Sequence, residues 1–430
     1  MNTLVGGSRG KGGVLQGESR SLTATRSDKG RVTDSEIHRA GFDKIRYASA
    51  PLMINATNHE LMRKERAEKA PLWWKRPCAH NECTLHQLSP YIGKIKSTIA
   101  GELIERYSQK GDLIVDPFAG AATIPLEAAI RGRRTLAADS SPYSHILSRA
   151  KLNPPRNLSS AVSHAEAALL EALSLPSPDL RSVPLWVRQF FHPKTLSEAL
   201  RFAAVARKSG NEFLMACLLG ILHHQRPGFL SYPSSHLVPY LRTKKFPRRW
   251  YPAMYEYREL RPRLLAKVCR SYRRFSLPPT GGNTSILSAV EQLEMPRRID
   301  ALITSPPYMN ALDYGRDNRL RLWFIDPSLA KSVDRDIAQR CKAFTDALTS
   351  PATKLQKSLK RGGYAVFVVG EEVHRSYNAH PSEIVNEIIT KTSPSLRLRK
   401  IIIDAIPDIR RTRRECRGVK KEHFLVFQRT

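Results

Sequence analysis

Thr304-Ser305-Pro306-Pro307-Tyr308 is the stretch of this chain best suited to hold an amine. Two consecutive prolines fix φ and remove two backbone donors, which leaves the Pro306 carbonyl outward as an acceptor. The Ser305 hydroxyl offers a second acceptor. An exocyclic amine carries two N–H donors, so two acceptors orient it and leave its nitrogen lone pair facing an electrophile. That is catalysis by positioning and electrostatics. The Tyr308 ring can stack on a base plane, as a base turned out of a helix requires. A proline turn that only ends a strand would read alike, so the tetrapeptide needs a second signal.

That signal is Asp116-Pro117-Phe118-Ala119-Gly120-Ala121-Ala122-Thr123. An apolar strand ends in Asp-Pro-Phe and turns through Gly120, where no Cβ keeps a ligand from the backbone. The helix that follows presents unpaired N–H groups to polar ligand atoms. Asp139, at the tip of the next strand, can accept from ribose hydroxyls. Alone, the stretch reads equally as a tight turn with a capping Asp. Together the two motifs point to methyl transfer from S-adenosylmethionine to a base nitrogen. A sulfonium is already an activated leaving group, so neither a cysteine nucleophile nor a metal is required.

The elements that must position these residues are legible around them. A helix is expected over 97–107, with Ile99, Leu103, Ile104 and Tyr107 on one face. A strand over 112–115, a helix over 124–130 and a strand over 135–138 form a strand-turn-helix-strand unit. Such a unit opens an α/β doubly wound, mostly parallel sheet. Further strands are expected over 299–304, over 364–369 after the Gly362-Gly363 break, and as a closing pair over 398–406 and 423–428. Between the halves, 152–277 is helical at first, as in 213–222, and then rich in Arg, Pro and Tyr. The resulting division is a disordered basic tail (1–35), a cofactor-binding part (36–150), a basic helical insertion (151–280) and a catalytic part (281–430).

Composition narrows the partner. The chain has 430 residues, 41% hydrophobic, with a formal net charge of +31; its pI is about 10.2. Such an excess favours a polyanion, nucleic acid first. No apolar run reaches the roughly 18 residues that span a bilayer, and the N-terminus lacks a signal peptide's apolar core. No membrane partner is expected, and a cytoplasmic, nucleoid-associated location is. Six cysteines are too few for a disulfide framework. Cys78, His80, Cys83 and His86 lie close together, but their spacing fits loop residues better than a zinc site. The densest basic-aromatic stretch is 242–275, with Lys244, Lys245, Arg248, Arg249, Arg273 and Arg274 for phosphates and Trp250, Tyr251, Tyr255, Tyr257 and Tyr272 interleaved. A second basic cluster includes Arg411, Arg413 and Arg414.

The two motifs resemble those of the DNA amino-methyltransferases, which modify cytosine N4 or adenine N6. Asp116-Pro117-Phe118-Ala119-Gly120 matches the family's cofactor motif and Thr304-Ser305-Pro306-Pro307-Tyr308 its catalytic motif. His86 to Lys94 looks like the segment before the first strand, from which Tyr91 and Lys94 reach the cofactor. Leu359-Lys360-Arg361-Gly362-Gly363-Tyr364 looks like the family's glycine turn, and Lys421 to Phe427 like its final strand. The resemblance covers 85–120 and 300–430. It implies a seven-stranded methyltransferase sheet and S-adenosylmethionine held by Tyr91, Lys94, Asp116, Pro117, Phe118, Gly120, Thr123 and Asp139. It assigns catalysis to Ser305, Pro306, Pro307 and Tyr308, and target recognition to the insertion. Double-stranded DNA is then the substrate, with cytosine N4 favoured by the Thr-Ser opening. The setting is a bacterial or archaeal restriction-modification or phage-defence system, which admits a cognate restriction endonuclease. Two readings stand beside it. Ile124-Pro125-Leu126-Glu127-Ala128-Ala129 also occurs in RNA guanine-amine methyltransferases. Ala122 and Ser288, where the family usually has Gly and an acidic residue, suit a silent DNA-binding scaffold.

Overall fold

The computed structural model describes residues 67–76, 82–223, 228–231, 246–276, 278, 281–307, 314–331, 337–370, 380–406 and 421–430. The tail expected over 1–35 lies outside them.

The described strands are β1 (Ala67–Lys69), β2 (Leu113–Asp116), β3 (Arg134–Asp139), β4 (Asn283–Leu287), β5 (Ile299–Thr304), β6 (Leu359–Gly370), β7 (Leu396–Ala405) and β8 (Lys421–Arg429). They form one sheet in the order β1-β7-β8-β6-β5-β2-β3-β4. All pairs are parallel except those of β8, which runs antiparallel between β6 and β7. The fold is therefore the doubly wound, mostly parallel sheet expected. The count differs: an eighth strand, β1, pairs with β7 at the edge. Its residues Ala-Glu-Lys are all exposed and carry no apolar pattern, so only backbone pairing defines it.

Both faces of the sheet are covered, and side chains alternate between them. Leu302, Ala365, Phe367, Leu425 and Phe427 enter one apolar cluster. That cluster is closed by helices α9 (Ile337–Ser358) and α10 (Pro381–Thr392). Ala301, Ile303, Val366, Val368, Phe424 and Val426 enter the other, with Ile99, Leu103 and Ile104 of α1 (Ser97–Tyr107). The glycine pair before Tyr364 does not start its strand. β6 begins at Leu359, and its pairing to β5 skips from Leu359 to Tyr364. The intervening residues bulge out, with Gly362 at φ 75°. Lys360, on that bulge, pairs with Asp300 at 2.9 Å and Asp112 at 3.3 Å.

The remaining helices next to the sheet are α2 (Thr123–Ile130) and α3 (Pro142–Leu152). The inserted stretch supplies α4 (Leu158–Ser174), α5 (Pro193–Lys208), α6 (Glu212–Ile221) and α7 (Leu260–Ser271). Asn157 and Asn211 cap α4 and α6, accepting from the Ser160 and Leu214 amides at 2.8 and 3.0 Å. These helices share one core with α3 and with α8 (Arg319–Ile325): Phe202, Leu218 and Leu264 cluster with Tyr143, Leu147 and Phe324.

Residues 84–88 wedge between the insertion and the sheet helices. Gly220 of α6 lies so close that a Cβ there would meet the Leu88 carbonyl oxygen at 2.2 Å. Backbone cannot yield as a flexible side chain can. Gly220→Ala is expected to cost about 3 kcal/mol, the upper range of overpacking, measured as a lower urea midpoint at unchanged slope.

Candidate functional site

The strand order places both sequence motifs at one point. From β2 the chain moves outward through β3 and β4 on one side, while β5 starts the other half on the opposite side. The switch lies between β2 and β5, and ligands of such sheets bind outside the carboxyl ends of the strands there. Asp116 ends β2 and Thr304 ends β5. The two touch: the buried Thr304 hydroxyl donates to Asp116 Oδ1 at 2.7 Å. The Phe118 amide donates to the same oxygen at 3.2 Å. Burial pushes the Asp116 carboxyl up to about 7; the two hydrogen bonds oppose this and nearby Asp139 adds to it.

Beyond Asp116 the chain makes the turn foreseen in the sequence. Pro117 is buried, and Phe118 packs on the sheet cluster that includes Leu136. Gly120 has φ 49°, and a Cβ on it would lie 3.4–3.5 Å from the Tyr91 ring. Tyr91 stacks on Tyr143 with centroids 5.8 Å apart, and its hydroxyl lies 3.2 Å from that of Ser144. So Tyr91 is a plate over the glycine. Lys94 instead donates to the His86 carbonyl at 3.0 Å and closes its own segment.

Ala122, the cap of α2, has φ 53° and ψ 41°. It is the one non-glycine among the described residues with positive φ. An L-residue there costs about 1–2 kcal/mol. Ala122→Gly is expected to raise stability by about 1 kcal/mol in urea denaturation, less than the full relief because glycine loses more chain entropy. Thr123 opens α2, and its buried hydroxyl has no partner among the described residues. A buried polar atom left so, at a helix N-terminus, marks where a polar ligand atom would sit.

Asp139 has a second role that its position alone did not announce. One oxygen accepts from the Gly120 amide and the other from the Ser141 amide, both at 2.8 Å. It shapes the turn as well as standing at the strand tip. With the Ser144 hydroxyl as a third donor, the carboxylate keeps one lone pair for a further donor. Burial raises its pKa, against the Ser141 and Gly120 amides and the Ser144 hydroxyl. Ser288 stands beside it, donating its amide to the Asp139 carbonyl at 3.0 Å.

After Thr304, Ser305 is half-buried, Pro306 buried and Pro307 exposed. Tyr308 lies outside the described residues. So do Lys244, Lys245, Arg411, Arg413 and Arg414, and Cys78 and His80. Of the remaining cysteine–histidine group, Cys83 is buried, and His86 Nε2 sits 2.5 Å from Glu127 Oε1. Burial lowers the His86 pKa against the pull of Glu127. Glu127 is held in turn by Arg131. Among the described residues no group of three His, Cys, Asp or Glu is placed to hold a metal.

The basic-aromatic stretch divides. Tyr272 donates to the Pro155 carbonyl at 2.7 Å, Tyr257 to Glu198 at 2.6 Å, and Tyr255 is buried. These rings hold the insertion together. Trp250 is 72% exposed, with the Arg249 guanidinium 5.3 Å from its ring and Arg248 also exposed. Arg273 is exposed. Arg274 binds the Glu82 carbonyl at 3.2 Å, next to the segment that carries Tyr91. Sequence reasoning missed one residue at the turn: Lys151 of α3, fully buried, donates to the Ala121 carbonyl.

Among the described residues no helix is long and apolar enough to cross a membrane.

No protein-family model and no curated protein matches the chain. Solved structures give weak likenesses. TrmN from Thermus thermophilus aligns at 10% identity over 80% of this chain and 52% of its own, with a TM-score of 0.26. The chain thus spans about half of TrmN. A putative rRNA methylase from Clostridium thermocellum aligns at 9% over 78% and 100%, with a TM-score of 0.28. The rRNA methyltransferase aviRa from Streptomyces viridochromogenes aligns at 12% over 82% and 96%, also at 0.28. At such scores the fold rests on the strand order itself.

Proposed function

We propose that this chain transfers a methyl group from S-adenosylmethionine to an exocyclic amine of a nucleic-acid base. The observation that carries the reading is the meeting of the two motifs at the sheet's switch point, joined by the Thr304–Asp116 hydrogen bond of 2.7 Å. The turn fits the cofactor: a glycine under a tyrosine plate, a buried hydroxyl at Thr123 with no partner among the described residues, and a helix N-terminus. S-adenosylmethionine supplies a methyl group already activated on sulfur. The chain's own task is to orient the amine. Ser305 and the Pro306 carbonyl accept its two N–H groups, Tyr308 stacks on the base, and the freed proton passes to solvent. Thr304 ties this acceptor pair to Asp116 and so to the cofactor turn.

The Ser305-Pro306-Pro307-Tyr308 motif supports cytosine N4 of duplex DNA as the target, with Arg248, Arg249, Trp250 and Arg273 offering charge and a stacking ring to the strand. The second reading is a guanine amine of RNA. It is supported by Ile124-Pro125-Leu126-Glu127-Ala128-Ala129, which forms α2 beneath the cofactor turn. The three solved structures carry RNA-methyltransferase titles, but their TM-scores are too low to choose the nucleic acid.

Expression in a host without DNA methylation, followed by nucleoside mass spectrometry of both DNA and RNA, decides among these. N4-methylcytosine or N6-methyladenine in DNA selects the first reading. Methylated guanine in RNA selects the second. No new methyl group in either would leave the silent scaffold and overturn the proposal.

A further inference from the structure

The β3–α3 unit pins the turn between β2 and α2 at three successive residues. The Ala119 amide donates to the Ala138 carbonyl at 2.9 Å. The Gly120 amide donates to Asp139 at 2.8 Å. From the last turn of α3, Lys151 donates to the Ala121 carbonyl. The first two restrain N–H groups; Lys151 restrains the carbonyl of the Ala121–Ala122 peptide, whose amide donates within the turn to the Ala119 carbonyl at 2.6 Å.

Lys151 is an expensive way to fill space. Its side chain is fully buried, and burial pushes its pKa down to about 7, with Lys94 adding to the shift and Glu82 and Cys83 opposing it. Among the described residues no carboxylate lies within ion-pair distance of it. A methionine would occupy the same volume without desolvating an amine. What the amine adds is the hold on one carbonyl. That carbonyl belongs to the peptide between Ala121 and Ala122, whose plane sets φ of Ala122. Ala122 is the residue forced into the left-handed region, and Thr123 with its unpartnered hydroxyl comes next. Left to itself an alanine there relaxes to negative φ, which would swing the first amides of α2 away.

We propose that Lys151 is a positioning residue for the cofactor turn: by holding the Ala121 carbonyl it keeps Ala122 left-handed, so that the opening amides of α2 and the Thr123 hydroxyl face the ligand. The cofactor part of this inference rests on the methyl-donor reading above.

Lys151→Met in the full chain tests it by two readouts. In the ligand-free protein, hydrogen exchange is expected to quicken at least 10-fold for amides 120–126 and to stay unchanged in α4 to α7. By calorimetry, S-adenosylmethionine is expected to bind at least 10-fold more weakly, with Tm not lowered and affinity for a mixed-sequence DNA duplex unchanged. Lys151→Arg, which keeps a donor, should recover part of both effects. Unchanged exchange at 120–126 would overturn the proposal. So would faster exchange throughout α3 and the insertion with a falling Tm, the mark of a packing role only. Wild-type protein that binds no S-adenosylmethionine would remove the methyl-donor reading, while the exchange readout would still judge whether Lys151 holds the turn.

Discussion

Asp139→Ala is expected to weaken S-adenosylmethionine binding about 100-fold while leaving nucleic-acid affinity in place. The carboxylate accepts from the Gly120 and Ser141 amides at 2.8 Å each. Removing it orphans two partly buried donors, each costing about 1–3 kcal/mol. The Gly120 bond is one of the three that pin the cofactor turn, so most of the loss should appear in the bound state, where the turn must be ordered. About 3 kcal/mol corresponds to about 100-fold in Kd. Calorimetric titration measures it. A change under five-fold would take Asp139 out of the cofactor site, and an equal loss of duplex binding would show general unfolding.

The second large effect is on stability against pH, and its source is Asp116. Burial, with Asp139 nearby, lifts the folded-state pKa from 3.8 to about 7. Between about pH 4 and 7 the unfolded chain has released this proton while the folded chain keeps it. The unfolded state then binds fewer protons, so the contribution of Asp116 falls as pH rises and levels off above about 7. Full titration amounts to the order of 4 kcal/mol. His86 acts in the opposite sense: burial keeps it neutral, so its contribution is lost as pH falls below its ordinary value. The quantity to read is therefore a difference between proteins. Asp116→Asn retains an oxygen for Thr304 and the Phe118 amide but cannot ionise. Relative to wild type, its urea stability should rise by several kcal/mol between pH 5 and pH 8. If the difference is the same at both values, Asp116 does not titrate in this window. Lys151, its pKa pushed down to about 7 by burial, loses stability as pH falls from its ordinary value toward 7; this contribution and that of His86 are common to both proteins and cancel in the difference, which leaves the carboxyl.

Much of the sheet was legible because short apolar strands next to Pro and Gly leave few alternatives. The helix over 97–107 and the strand over 299–304 fall where the periodicity and the apolar run put them. The turn after β2 read directly, since its geometry is local. What was not legible depends on partners distant in sequence. β1 has no pattern of its own and exists through pairing with β7. The bulge that carries Lys360 arises from register with β5. Thr304 looked like a flanking residue of the tetrapeptide until its hydroxyl met Asp116. Lys151 in a helix reads as a surface charge, and nothing in its neighbours announces that it is buried against Ala121. Tyr272 and Tyr257 read as base-stacking candidates because an aromatic among arginines looks the same whether it faces a ligand or a core.

The central place of β8 has a consequence for how the chain is made. Every other described strand precedes Lys421 in the sequence, yet β8 lies between β6 and β7 and, among the described strands, alone joins β7, and through it β1, to the rest of the sheet. During vectorial synthesis β6 must wait with one edge open. Its apolar residues Phe367 and Val369 are covered on that side only when β8 emerges. Until then the nascent chain carries an open strand edge, so this protein should depend on chaperone occupancy between the synthesis of β6 and that of β8 more than its finished stability would suggest.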